Sequence, residues 1–247
     1  MNHENYHKND CLICGGKLIY KEDYEKMTCY ICGKTYDSNV ECINGHYICD
    51  TCHSLPANDF IERYCINDES VDPLNLAIHL MDRPFIKMHG PEHHFLVPAV
   101  LLTSYYNIKK DAERKMNKIK IARKRAEKVS GGFCGYYGDC GSAVGTGIFI
   151  SLITDATPLS RIEWRLSNLM TAKSLYSIAN AGGPRCCKRS TYLAIIEAAD
   201  FLKKYFDVVI PLNRDINCHF SPLNRECLKE DCIFNSTYDK NKTIEKI

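Results

Sequence analysis

Apolar positions take on a helical period from about residue 71 onward. DPLNLAIHLMDR opens on an Asp-Pro start and places Leu74, Ala77, Ile78 and Met81 at the spacing of one helix face. MHGPEHHFLVPAVLLTSYYN runs from a polar loop into an apolar stretch that predicts a buried helix. Residues 109–128, KKDAERKMNKIKIARKRAEK, set Ala112, Met116, Ile119 and Ala126 on one side of an amphipathic helix. RIEWRLSNLMTAKSLYSIANA and TYLAIIEAADFLKKYF predict two more helices, whereas NCHFSPLNRECLKEDCIF reads as irregular chain. The fold expected is mostly α, preceded by a small module that has no comparable period.

The 247 residues suffice for one large domain with an appended module. Boundaries are expected at 1–70 for the module, 71–217 for the helical domain and 218–247 for a tail packed on it. The formal charge of +2 gives no global pull toward nucleic acid. The polar start MNHENYHKND and the lack of an apolar run of roughly 18–20 residues predict a cytoplasmic protein with no membrane partner. In a reducing compartment the 15 cysteines are not a disulfide framework, so metal binding or thiol chemistry is expected of them.

Cys11-x-x-Cys14, Cys29-x-x-Cys32 and Cys42-x-x-x-His46-x-x-Cys49-x-x-Cys52 supply eight ligands, enough for two closed tetrahedral zinc sites, so about two Zn2+ are expected. Glycines 15 and 33, each directly after the second cysteine of a pair, fit the tight turn of a knuckle. CINGHYICDTCH resembles RING-type or treble-clef modules. In the crossed arrangement Cys11/Cys14 joins Cys42/His46, and Cys29/Cys32 joins Cys49/Cys52; a sequential ribbon from the first four cysteines is the rival. Cys65 and His53 lie outside this pattern and read as ordinary residues. Metal here supplies the folding energy that a short segment lacks.

Three further features carry chemistry. His89, Glu92, His93 and His94 crowd together ahead of a buried helix and are candidate acid/base groups. The stretch 109–128 holds ten Lys/Arg against three Asp/Glu, so RNA gripped by this helix and the zinc module is a possible partner. GGPRCCKRS places Cys186 and Cys187 among Arg185, Lys188 and Arg189 at a helix start, where positive charge favours the thiolate. Those three cations suit a carboxylate or phosphate. Cys218, Cys227 and Cys232 in irregular chain read as metal ligands. The glycine-rich stretch from 131 to 147 carries Cys134 and Cys140 but neither a Walker-type lysine nor a pyrophosphatase loop.

HGPEHHFLVPAVLLTSYY, DCGSAVGTGIFIS and RCCKRSTYLAIIEAA stand in the order of three stretches of the catalytic alpha domain of iron–sulfur L-serine dehydratases, relatives of L-cysteine desulfidases, and the resemblance covers about residues 85–205. It implies an all-helical domain in which three cysteines hold a [4Fe-4S] cluster with one iron open to a small-molecule substrate. Cys140 and Cys186 match two of the family's ligands. LYSIANAGG has no cysteine where the family has its middle ligand, so Cys134, Cys187 or one of Cys218, Cys227 and Cys232 must substitute. The zinc module and the cysteine tail are foreign to that family, and the whole-chain arrangement looks like an uncharacterised prokaryotic family.

The function expected is an iron–sulfur lyase or desulfidase acting on a small polar or thiol substrate. Its catalytic groups would come from His89, Glu92, His93, His94 and Cys187, and Arg185, Lys188 and Arg189 would bind substrate. The alternatives are a zinc-dependent nucleic-acid-binding or tRNA sulfur-modification factor and a non-catalytic metal-stapled scaffold.

Overall fold

The computed structural model describes residues 11, 13–14, 16–49 and 57–238. The chain is mostly helical, as its periodicity predicts. The N-terminal region is a two-stranded antiparallel hairpin, β1 (Leu18–Thr28) and β2 (Thr35–Cys42), in a register that pairs Leu18 with Cys42 and Thr28 with Thr35. Most of its residues stay at least partly exposed, and its small core centres on buried Cys29 and Cys49. So little apolar burial does not hold a hairpin by itself.

Eight α-helices follow among the described residues: α1 (Ala57–Asn67), α2 (Pro73–Met81), α3 (Glu92–Lys109), α4 (Ala112–Ala126), the single turn α5 (Phe133–Tyr136), α6 (Gly141–Ile153), α7 (Ile162–Asn180) and α8 (Cys187–Phe206). Helix α3 is central. It is apolar on nearly every face and buries Phe95, Leu96, Val97 and the run Ala99–Leu102, as a helix surrounded by others must. Its neighbours include α2, α4, α6 and α8. The approach of α6 requires glycine: a Cβ on Gly145 would lie 2.9 Å from the Pro98 ring, and one on Gly141 would lie 2.1 Å from the His94 ring. No described helix is long and apolar enough to cross a membrane.

Helix starts follow local sequence. Asp72 caps α2, with Oδ1 accepting from the amides of Leu74 (2.9 Å) and Asn75 (3.1 Å). Its other oxygen, Oδ2, accepts from the Asn213 amide (2.9 Å), which ties α2 to the chain beyond α8.

Three expectations change. The basic stretch 109–128 is not one helix. Lys110 is left-handed (φ 55°), ending α3, and Asp111 then caps α4 by accepting from the Arg114 amide (2.9 Å). Met116 stays exposed while Lys115 is buried, its Nζ donating to Asp68 O and Asn107 Oδ1, both at 2.8 Å. The helical unit also starts ahead of residue 71, since Phe60, Ile61 and Cys65 of α1 belong to its core. From the tail, Phe220, Cys232 and Phe234 join the same core, and the Cys218 amide donates to Phe234 O (2.7 Å).

Candidate metal and thiol sites

In the N-terminal region Cys11, Cys14, Cys42 and His46 form one group, and Cys29, Cys32 and Cys49 another. Within each, the ligand atoms all lie within 4.8 Å of one another. The sulfurs of Cys14 and Cys42 are 3.4 Å apart, His46 Nδ1 is 3.3 Å from Cys14 Sγ, and Cys32 and Cys49 are 3.9 Å apart. Four thiolates on one zinc, with Zn–S near 2.3 Å, stand roughly 3.8 Å apart, so each group can hold an ion compatible with zinc. The grouping follows the crossed pairing and not the sequential ribbon; Gly15, Cys52 and His53 lie outside the described residues.

Backbone amides face these sulfurs. Ile13 donates to Cys11 (3.4 Å), Asn44 to Cys42 (3.3 Å) and Cys49 to Cys29 (3.3 Å). Burial raises the Cys11 thiol to about 11. At Cys14 burial acts in the same sense, but it is overcome by hydrogen bonds from Asn44, Gly16, Cys42 and His46, which bring the thiol to about 6. Gly33 is left-handed (φ 68°) directly after Cys32, as its turn requires.

The seven later cysteines do not gather into one set. Cys134 of α5, Cys140 at the N-cap of α6, and Cys186 and Cys187 at the start of α8 line a cavity of about 910 Å3, with Tyr176 and Arg185. Cys186 also lines a second, small cavity of about 20 Å3 together with Cys218, Cys227 and Cys232. Burial raises the Cys187 thiol to about 11, against the pull of a hydrogen bond from the Gly90 backbone. Cys186 caps α8, accepting from the Arg189 amide (3.5 Å), and burial raises its thiol as well. Cys65 is fully buried in the helical core, its thiol raised to about 12 by burial, as an inert structural cysteine should be.

Of the three candidate anion binders, only Arg185 is exposed at the large cavity. Lys188 is 1% exposed, and its Nζ donates to Met81 O (3.1 Å) and Ile86 O (3.2 Å). Arg189 lines the cavity, but its Nη2 donates to Gly182 O (2.6 Å) and Pro184 O (2.9 Å), holding the GGPR loop. Charge was legible in the sequence here; direction was not.

The four acid/base candidates separate in the same way, and none lines the large cavity. Glu92 Oε1 accepts from the Lys87 amide (2.8 Å), and His89 Nε2 lies 3.1 Å from Asn224 Oδ1, bridging to the tail. His93 is fully buried; its Nδ1 donates to Gly90 O (3.1 Å), and burial, with Lys188 nearby, keeps it neutral. His94 donates from Nδ1 to Val129 O (3.0 Å), which leaves Nε2 as the basic nitrogen, and burial lowers its pKa. Its ring lies on Gly141, the residue after Cys140.

The sequence offered Cys134 only as a substitute ligand, yet it stands on the wall with Cys140 and Cys187. Asn44 and Gly16 of the first metal group carried no signal in the spacing. Asn44 Nδ2 donates to Cys14 Sγ (3.3 Å), and a Cβ on Gly16 would come within 3.0 Å of Cys42 Sγ.

No curated protein and no solved structure matches the chain, and no match links it to the serine dehydratases. One family model does match, over residues 61–235, a span that takes in the helices and all seven later cysteines and leaves the hairpin outside. The chain belongs to DUF5714, a family of unknown function.

Proposed function

We propose that the helical unit is an iron–sulfur enzyme of the lyase or desulfidase type, acting on a small polar or thiol substrate in the 910 Å3 cavity. The observation that carries this reading is the convergence of Cys134, Cys140 and Cys187, from three separate stretches, on one open cavity. Three soft donors fit a [4Fe-4S] cluster with one corner free; such a cluster, when bound, supplies a Lewis-acidic iron toward a hydroxyl or thiol leaving group. The N-terminus of α6 follows Cys140, and that of α8 carries Cys187, so two helix dipoles favour negative charge here. Arg185 binds the substrate's carboxylate from the rim. His94, its Nδ1 bonded to Val129 O and its ring packed on Gly141 behind Cys140, positions that ligand; His89, Glu92 and His93 hold the loop in place.

The rival, RNA held by the zinc module and α4, loses support from the pairing of that helix's cations. Arg123 meets Asp59, Glu62 and Glu127, Lys118 meets Asp155, and Lys115 is buried. Purification without oxygen decides between the readings. Iron with acid-labile sulfide, lost in Cys134→Ala and Cys187→Ala together with turnover of β-hydroxy or β-thiol amino acids, is the expected result. Colourless protein with about two zinc ions and salt-sensitive RNA binding would overturn it, and zinc alone would leave a metal-stapled scaffold.

A further inference from the structure

We propose that Cys186, Cys218, Cys227 and Cys232 form a second metal centre, closed by four protein thiolates and separate from the open site beside it. On this assignment the adjacent cysteines at the start of α8 serve different centres, Cys186 the closed one and Cys187 the open one. The inference does not rest on the lyase reading.

Two observations support it. The first is convergence: the four cysteines, one at the N-cap of α8 and three from a tail whose described part holds two single-turn 3-10 helices, line one small cavity. Cys186 and Cys232 are each 9% exposed, and the other two are half-buried. An irregular tail that turns its thiols inward onto one point has few reasons to do so other than a shared ligand.

The second is the way the sulfurs are hydrogen-bonded. The Lys229 amide donates to Cys227 (3.3 Å) from two residues beyond the cysteine. Cys11 and Cys42 of the N-terminal metal group receive amides from the same offset, Ile13 and Asn44. Cys227 also has Ser221 Oγ at 3.2 Å, and Cys186 has the Arg189 amide at 3.5 Å. Amides and a hydroxyl thus surround these sulfurs in the arrangement seen around the N-terminal metal group.

The spacing also bears on the kind of metal. Among the described residues, the groups whose ligand atoms gather within 4.8 Å are the two N-terminal ones, so no three of these four sulfurs are as close as one tetrahedral ion requires. A cluster places iron and sulfide between its thiolates and spreads them, so iron–sulfur is the chemistry expected here.

The test is metal content in full-length protein purified without oxygen: iron, acid-labile sulfide and zinc per chain, with thermal unfolding as a check on folding. Cys186→Ser, Cys227→Ser and Cys232→Ser should each lose the same share of iron and sulfide, that of this centre, whatever Cys134→Ser and Cys187→Ser lose. A single zinc ion lost from the first three variants would overturn the iron–sulfur assignment and keep only the four-thiolate centre. Unchanged metal in Cys227→Ser and Cys232→Ser would overturn it. The parent gives a second readout should a variant fail to fold. Cys218 and Cys227 should resist alkylation by iodoacetamide until metal is stripped and then react together; free reaction from the outset would also overturn the centre. Iron lost from Cys134→Ser but not from the tail variants would remove this proposal and leave the function proposed above, and the reverse pattern would do the opposite.

Discussion

The hairpin and the helical unit solve the same problem by different means. In the hairpin the core is cysteine itself: Cys29 and Cys49 are its buried centre, and the metal groups stand where apolar side chains would otherwise be. In the helical unit a continuous apolar core runs from Phe60 to Phe234, and the thiols sit at helix starts and in the tail, around cavities and not in place of packing. Cysteine thus has two uses in one chain. Where it replaces the core, the sulfurs gather closely enough for each group to hold one ion; where a core already exists, they stand further apart or remain at a wall.

The largest expected effect separates the two regions. A strong zinc chelator should unfold the hairpin, since a structural zinc is worth about 10–16 kcal/mol of apparent binding energy, and should leave the helical circular dichroism signal nearly intact. Collapse of that signal along with the zinc would break the comparison. Next comes Phe95→Ala, which opens the buried centre of α3 and should cost about 3–5 kcal/mol in chemical denaturation with the zinc content unchanged. Gly141→Ala should follow at about 1–3 kcal/mol, because the new methyl meets the His94 ring at 2.1 Å. An undisturbed stability there would mean that α3 and α6 are looser than their contact implies.

The smallest effect concerns pH. His219 lies 2.6 Å from Asp82, which raises its pKa above 6.5 in the folded state. The pair's contribution is therefore fully present below about pH 6.5 and fades as pH rises through the folded value. With both side chains well exposed it amounts to less than about 1 kcal/mol, and Asp82→Asn should flatten the pH slope between the two values.

Local signals in the sequence survived well. Cys-x-x-Cys spacing, the Asp72–Pro73 start and the apolar run of α3 each depend on neighbours in the chain, and the structure keeps all three. The break at Lys110–Asp111 was also local, but the long basic run concealed an ordinary Asp cap. The hairpin was not legible because LIYKEDYEKMT has no clean alternation of apolar and polar residues; its core is made of cysteines, not of the buried face that alternation would mark. The fates of Lys188 and Arg189 were not legible either. Both stand in a cationic motif, yet each ends on backbone carbonyls, and only the packing of α8 against the loops on either side of it decides that. For the same reason the parting of Cys186 and Cys187 could not be read: an N-cap residue and the first residue of a helix project differently, and the spacing does not record where each arrives.

Asp72 has a consequence for the dynamics of the helical unit. One carboxylate both stops α2 from fraying and anchors the irregular segment at Asn213, 141 residues further along. Loosening at either end releases the other, so the amides of Leu74, Asn75 and Asn213 should exchange with solvent deuterium as a single cooperative unit although the sequence holds them far apart.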